Sequence, residues 1–298
     1  MTARYVIIEA PSGLGMRAPG VEKAAEALLA AGLAERLQAR QGKRVDAGVG
    51  SGTRDFDTLL LNPHAVADYA INLAATLDGV LQRREFPVVL GGDGSTLLGS
   101  ALALKRCGRR GLLFIGGHAD FYQPSINPTG EIASSVLALA TGRGPRVVVN
   151  LDGESPLFLD EDVVVFGLRD EQESSIDRSQ PLAPAMAAID RATIRRSGIA
   201  AATARALARL VSQDTGGFWV HFDVDVLDAA AMPAVDHRLG DGLSWGEVRH
   251  LLGAVLSSRK ALGLQVVSFN PRLDRDGALT AQLVELLVAV LPGGDAPG

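Results

Sequence analysis

The sequence predicts an α/β fold, a doubly wound sheet of about eight parallel strands with helices on both faces. Two observations support this fold class. Short runs rich in β-branched residues alternate along the chain with longer segments of helical spacing. The predicted strands are apolar almost throughout, which is typical of parallel strands that helices bury on both faces.

The β-branched runs are predicted as strands at Tyr5–Ile8, Pro87–Leu90, Leu112–Ile115, Val163–Phe166, Phe218–Phe222 and Gly263–Phe269. The segments with helical spacing are Val21–Gln41, Ala65–Gln82, Thr96–Cys107, Ile199–Val211, Trp245–Ser257 and Thr280–Val290. Ser244 stands three residues before Glu247, which is the pattern of a helix capping box. Polar segments rich in turn formers, 50–63 and 170–184, are predicted as loops over one rim of the sheet.

Length and composition indicate one domain that spans 1–298, with a frayed tail at 292–298. The net charge of −5 gives no reason to expect a nucleic-acid partner, because backbone binding needs clustered basic residues. No apolar run approaches the ~20 residues of a membrane span. Cys107 is the single cysteine and the N-terminus lacks the features of a signal peptide, so we expect a cytoplasmic protein without disulfides.

A glycine-rich turn joins the second predicted strand to a helix in the segment LGGDGST. Ser95 is predicted to cap that helix. Two interpretations stay open. The turn could bind phosphate at the helix N-terminus, although full dinucleotide and P-loop spacings are absent. Alternatively, the glycines supply positive φ angles and Asp93 bonds to backbone.

The next strand leads into the segment GGHADFY. Side chains two apart on a strand share a face, so Gly116, His118 and Asp120 are predicted to point the same way. An imidazole and a carboxylate would then meet at the rim of the sheet. Taken alone, His118 is better explained as a hydrogen-bonded core histidine, and only the next segment favours a ligand.

Several acids crowd the segment VHFDVDVLD, where His221, Asp223 and Asp225 are predicted to share a strand face and Asp228 to follow in the turn. Like charges on a buried strand raise one another's pKa unless a cation compensates. Carboxylates with one imidazole suit Mn²⁺ or Mg²⁺, with Zn²⁺ and Fe²⁺ left open. The alternative is that some acids are protonated or cap neighbouring turns.

Together these three segments resemble the signatures GGDHS, DAHxD and DxDxxD of the ureohydrolase superfamily of arginases and agmatinases. The segments TGE, MPAVD and FNPRLD make the chain most similar to the Nω-hydroxy-L-arginine amidinohydrolase branch. The resemblance implies an arginase-like three-layer sandwich. It also implies two manganese ions that bridge a hydroxide, which attacks a guanidinium carbon and breaks a C–N bond.

Carried over by position, the resemblance makes His118, Asp120, Asp223 and Asp225 metal ligands. In a hydrolase we expect proton transfer to fall to Asp120 or to Glu131, because the base must lie within hydrogen-bond reach of the metal-bound water. Glu131 is chosen by its position alone, and a surface role in a loop is its alternative. The residues expected to support the ligands from outside are Asp93, His221 and Asp228.

The chain departs from the family pattern at two ligand positions. Gly94 stands where arginases have histidine and the closer branch has cysteine, and Gly116 stands where an acid bridges both metals. The proton-shuttling histidine falls near Ala133. Acids expected around the NP sequence are replaced by Gln265 and Ser268.

Two functional hypotheses therefore remain. The first is hydrolysis of a small guanidino or amidino compound with one manganese ion rather than two. The second is a protein of this fold without hydrolytic activity, which acts as a binding or partner subunit or has simply decayed; whether it binds a metal is left open. Nucleotide binding at the glycine-rich turn is a third, weaker reading. Substrate identity is assigned to the rim loops 123–129 and 170–177, and homo-oligomer formation is left open.

Overall fold

A computed structural model describes residues 5–171, 175, 179–212 and 214–291. Its strands form one continuous sheet in which every neighbouring pair is parallel, in the order β2-β1-β3-β8-β7-β4-β5-β6. The predicted fold class is confirmed. The strands are β1 (Tyr5–Ala10), β2 (Arg40–Gln41), β3 (Phe86–Gly91), β4 (Gly111–Ile115), β5 (Val163–Phe166), β6 (Ala187–Ile189), β7 (Phe218–Asp223) and β8 (Ala261–Val267).

Helices cover both faces of the sheet. Along β1, Val6 and Ile8 join one buried apolar cluster while Ile7 joins the other, because successive side chains of a strand point to opposite faces. In the described residues, no helix is both long enough and apolar enough to cross a membrane. The helices are α1 (Ala24–Ala30), α2 (Leu33–Arg36), α3 (Pro63–Gln82), α4 (Leu97–Arg106), α5 (Val136–Ala140), α6 (Arg146–Val149), α7 (Arg191–Ser197), α8 (Ile199–Ser212), α9 (Trp245–Ser257) and α10 (Ala278–Val290).

The first predicted helix, Val21–Gln41, is wrong in its length. Gly32 has a φ of 84° and separates α1 from α2, and the chain then pairs as β2 on the edge of the sheet. At the last strand, Ser268 has a φ of 67°, so β8 ends at Val267 instead of Phe269. Helices α5, α6 and α7 were not predicted because they are short.

The predictions of the capping box and of the first rim loop agree with the structure. The capping box is confirmed: the Ser244 hydroxyl accepts from the Glu247 N–H, and the Glu247 carboxylate accepts from the Ser244 N–H at 2.8 Å. Residues 50–62 lie outside every helix and strand, and α3 begins at Pro63. For the second predicted rim loop, positions 172–174 and 176–178 lie outside the described residues.

The sheet order places the functional segments together. Strands β3, β8, β7 and β4 are consecutive neighbours in the sheet, although β5 and β6 lie between β4 and β7 in the chain. Because all four are parallel, the segments that follow them meet at one edge. Asp93, His118, Asp223 and Ser268 lie in or just beyond these carboxyl ends.

Candidate active site

A cleft of about 200 Å³ lies at this edge of the sheet. The four predicted ligands, His118, Asp120, Asp223 and Asp225, all line it. Glu131 and Gly94 also line it. Gly116 lies outside the lining, and a Cβ built on it would lie 3.6 Å from Asp225 Oδ1. The structure therefore brings the four predicted side chains together in one cleft.

A loop, not a strand, presents His118 and Asp120. Strand β4 ends at Ile115, so the predicted strand alternation from Gly116 onward is wrong. The backbone turns sharply here, and Asp120 has a φ of 47°. The carboxylate of Asp170 accepts a hydrogen bond from the Ala119 N–H at 2.9 Å and holds the loop.

Asp223 is the last residue of β7, whereas Asp225 lies in the 3-10 turn Val224–Val226 that follows. The two acids therefore do not share a strand face as predicted. The Asp225 N–H donates to Asp223 Oδ1 at 2.8 Å, and the Ser268 hydroxyl donates to Asp223 Oδ2 at 2.5 Å. Both oxygens of Asp223 thus already accept hydrogen bonds from the protein.

His118 and Asp225 form an ion pair at the base of the cleft. His118 Nδ1 lies 2.5 Å from Asp225 Oδ2, and Asp225 Oδ1 accepts from the Gly117 N–H at 2.7 Å. Burial disfavours the imidazolium, but the charge and hydrogen bond of Asp225 outweigh it and raise the pKa of His118 to about 10. Burial works against the carboxylate too, yet His118 holds the pKa of Asp225 below its ordinary value.

The remaining acids respond differently to the same environment. Burial raises the pKa of Asp120 to about 8, with His118 opposing the shift and Asp225 adding to it. Burial, reinforced by the charge of Asp225, raises the pKa of Asp223 well above its ordinary value. Protonation of Asp120 and Asp223 therefore relieves the repulsion among the acids of the cleft.

The glycine-rich turn is a structural feature. Buried Asp93 accepts hydrogen bonds from the N–H groups of Ser95 at 2.7 Å and Gly15 at 3.1 Å, so Asp93 is the cap and the prediction for Ser95 is wrong. The predicted need for positive φ is also wrong. A Cβ on Gly92 would lie 1.8 Å from the Ser12 carbonyl oxygen, so close approach of two backbones requires that glycine. Because Asp93 occupies the N–H of Ser95, this turn offers phosphate little.

Two residues predicted to support the ligands have other contacts. His221 is fully buried and stacks on Phe114 with ring centroids 4.6 Å apart. Neither of its nitrogens has a hydrogen-bond partner in the described part of the chain, and burial lowers its pKa to about 3. Asp228 accepts from the N–H groups of Ala230 at 2.9 Å and Gly242 at 3.0 Å, which holds the loop after β7.

Sequence reasoning missed His237, which lines the cleft directly after the MPAVD segment. Its Nε2 lies 3.7 Å from Glu131 Oε2, and its ring centroid lies 6.1 Å from that of His118. Glu131 is buried rather than exposed, and its Oε1 accepts from the Arg17 N–H at 2.6 Å. Burial opposes the Glu131 carboxylate, but its hydrogen bonds, first that with His237, keep its pKa below the ordinary value.

Arg169 was also missed, although it lies in the GLRD segment directly after β5. Its guanidinium donates to the carbonyl groups of Asp225 at 2.7 Å, Leu227 at 3.0 Å and Leu239 at 3.1 Å. These carbonyls belong to the two segments that carry Asp225 and His237. Arg169 therefore holds together the two segments that carry Asp225 and His237.

The donors present do not fit a two-metal centre. Gly94 and Gly116 supply no side-chain donor, and among the described residues no group of three or more His, Cys, Asp or Glu side chains is arranged to hold an ion. The 2.5 Å between His118 Nδ1 and Asp225 Oδ2 is also short. Two donors each about 2.1 Å from an octahedral ion stand roughly 3 Å apart.

Comparison with known proteins identifies the same fold and family. The model of the arginase family matches residues 3–291. The arginase of Bacillus caldovelox is 30% identical over 291 residues, which cover 94% of this chain and 95% of that protein. Its native structure superposes with a TM-score of 0.87 at 27% identity, covering 97% and 98% of the two chains. The arginase structure from Bacillus cereus gives a TM-score of 0.86 at 25% identity and covers 99% and 100%.

Proposed function

The chain belongs to the arginase family, and we propose that it binds a small guanidino or amidino compound in its cleft without the two-manganese hydrolysis that the family resemblance implies. The observation that carries this proposal is the pair of glycines at positions 94 and 116. Glycine has no side chain with which to coordinate, so one donor to a single ion and one donor shared by both ions are missing.

The hydrogen bonds of the remaining acids support the same conclusion. Asp223 and Asp225 accept hydrogen bonds from Ser268, the Gly117 N–H and the Asp225 N–H, and Asp225 is paired with His118. The site is thus internally satisfied without a metal. Loss of supporting groups outside the coordination sphere already costs on the order of 10–100-fold in metal affinity, and loss of direct ligands should cost more.

The carboxyl groups of the cleft favour a ligand that donates hydrogen bonds, although the raised pKa values of Asp120 and Asp223 reduce the negative charge of those two acids. The lining of the cleft includes Asp120, Asp223, Asp225, Glu131 and Asp236. Neither lysine nor arginine is among the described residues that line it. A planar guanidinium or amidinium group can donate several hydrogen bonds to such carboxylates, and charge-assisted bonds of this kind are the strongest in proteins.

The proposal is tested by measuring binding and turnover on the same preparation. Calorimetry with agmatine, using protein treated with a chelator and protein supplied with Mn²⁺, should show binding in both states. Assays for released urea should show no turnover in either state. Manganese-dependent release of urea from any guanidino compound contradicts the proposal, and so does a failure of guanidino compounds to bind.

A second candidate is a hydrolase that uses one manganese ion. The observation in its favour is that all four retained ligand types line one cleft, with Glu131 at hand as a proton acceptor. Manganese-dependent turnover that the Asp120→Asn variant abolishes, and that the Glu35→Gln variant on exposed α2 retains, would establish this candidate. Asp120 is chosen because it lines the cleft, whereas Glu35 is an exposed acid that does not line it.

A further inference from the structure

We infer that a groove beside the cleft is a second binding site, which takes a small oxyanion such as a phosphate group. The groove has a volume of about 570 Å³. It is lined by the loop after β1, from residue 11 to residue 19, and by the segment 44–52 that precedes α3, and Met16 lines both the groove and the cleft. None of the four predicted metal ligands lines the groove, so this inference is independent of the proposed function.

Arg17 supplies the positive charge of this site. Its guanidinium donates to the Thr129 carbonyl from Nε at 3.1 Å and from Nη2 at 2.9 Å, and to the Gly52 carbonyl from Nη1 at 3.4 Å. A guanidinium has five N–H donors, so two remain for a ligand. Both partners are neutral carbonyls, and within the described chain no carboxylate pairs with Arg17. An oxyanion would supply the negative charge that this cation lacks and could accept two charge-assisted hydrogen bonds.

The other charged side chains of the groove already have partners of opposite charge. The ion pairs at or beside the groove are Lys23–Glu26, Arg44–Glu9, Arg44–Asp46 and Arg272–Glu22. The two acids that line the groove, Glu22 and Asp46, therefore each face an arginine, which weakens their repulsion of an anion. In the part of the chain that the structure describes, Arg17 is the cation of the groove that no acid balances.

Backbone N–H groups supply further donors. Residues 47–50, with the sequence AGVG, line the groove, and none of their four N–H groups donates to an acceptor in the described part of the protein. A Cβ built on Gly48 would meet nothing within 4 Å, so a ligand can approach the backbone there. Consecutive N–H groups form anion-binding concavities in many proteins. This segment therefore complements the guanidinium of Arg17.

Part of the groove wall is apolar. Pro11, Leu14, Met16 and Pro19 line it, and so does Val49, whose side chain is fully exposed. An apolar group attached to the anion would cover this surface and remove it from water, which is favourable. We therefore expect an organic phosphate to bind more tightly than inorganic phosphate.

Calorimetry with inorganic phosphate and phenyl phosphate tests the inference. The protein is treated with a chelator, so that no metal ion in the cleft can take up phosphate. Both compounds should bind, and phenyl phosphate should bind at least about threefold more tightly. In NMR spectra, the amide signals of residues 13–18 and 44–52 should shift during the titration. Absence of binding overturns the inference, and so do shifts confined to residues outside the groove.

A matched pair of variants tests the role of Arg17. Arg17→Gln keeps an amide that can donate to the Thr129 carbonyl but removes the charge, so it should weaken phosphate binding about tenfold or more. Arg249→Gln makes the same change at an exposed position of α9 and should bind phosphate like the wild type. If Arg17→Gln has the thermal transition of the wild type and also its phosphate affinity, Arg17 does not hold the anion and the inference is wrong.

Lys23→Gln keeps the test decisive if Arg17→Gln fails to fold. Lys23 is exposed and lines the groove, so its replacement should leave the fold intact. Removal of this nearby positive charge should weaken phosphate binding about twofold at low salt, and the effect should decrease as salt is added. An unchanged affinity of Lys23→Gln at low salt contradicts an anion site in this groove.

Discussion

His118 Nδ1 and Asp225 Oδ2 face each other at 2.5 Å, and they come from the ends of two neighbouring strands, β4 and β7. In this arrangement the cation that balances Asp225 is a protein side chain. The pair explains why the acids of the cleft can lie together although Gly94 and Gly116 supply no ligands. It also has a consequence that can be measured directly.

The first prediction concerns the protonation of His118. In chelator-treated protein, NMR of the imidazole nitrogens should show His118 charged through neutral pH, because Asp225 raises its pKa to about 10. In the Asp225→Asn variant, burial is no longer outweighed by a partner's charge, so the pKa of His118 should fall to its ordinary value or below it. Ordinary titration of His118 in the wild type disproves the ion pair.

The second prediction is that restoring the lost donors restores metal binding. A Cβ at Gly94 would meet Val136 and Ala133 at 3.7 to 3.9 Å, and a Cβ at Gly116 would approach Phe114 at 3.4 Å, so the scaffold has room at each. Gly94→His combined with Gly116→Asp should increase Mn²⁺ affinity by about 100-fold or more, measured by calorimetry and by metal content after dialysis.

A matched control is available for this double variant. Gly246→His with Gly253→Asp places the same side chains on α9, where a Cβ at either position meets nothing within 4 Å. This pair should leave Mn²⁺ affinity unchanged. If the cleft variant folds, as judged by its thermal transition, and still binds no more metal than the control, the assignment of positions 94 and 116 as former ligand sites is wrong.

The sequence was sufficient to predict which side chains would gather but not how they would be held. His118 and Asp225 follow parallel strands whose carboxyl ends meet at one edge of the sheet, so their meeting was predictable, whereas the direct pairing of β4 with β7 was not. The positive φ of Asp120 and the turn that carries Asp225 depend on hydrogen bonds from distant loops, and strand periodicity contains no information about them. His237 was missed for a related reason, because its partner Glu131 lies 106 positions away in the chain.

Local sequence patterns also predicted only part of the sheet. All six predicted strands exist, because each is a continuous apolar run buried on both faces. The edge strands β2 and β6 have two and three residues and are partly exposed, so they carry little of the pattern that identifies a strand. These two strands form because they pair with β1 and β5, and the local sequence contains no information about that pairing.

The third prediction concerns Arg169, which binds the carbonyls behind the cleft. Arg169→Lys keeps the charge but replaces the planar fork with a single ammonium group, so it cannot reach all of those carbonyls. We expect a loss of about 2–3 kcal/mol in the free energy of unfolding, since buried carbonyls lose their donor. Hydrogen exchange should accelerate at residues 225–242. Arg83→Lys on the surface serves as the control, and unchanged exchange in Arg169→Lys contradicts the bracing role.

The fourth prediction uses His221 to test acid sensitivity. Burial lowers the pKa of His221 from 6.5 to about 3, so between these values the unfolded chain binds a proton that the folded chain does not. Folding stability therefore falls as the pH drops below 6.5, and His221 should account for a loss of about 2 kcal/mol by pH 5.

His221→Phe keeps the stack on Phe114 and removes the titrating group. Urea unfolding at pH 7.5 and pH 5 should show a smaller acid-induced loss in this variant than in the wild type or in His250→Phe. The difference between the two pH values is the informative quantity, because any packing strain from the slightly larger ring affects both equally. An identical loss in all three proteins means that His221 is protonated in the fold or reached by water.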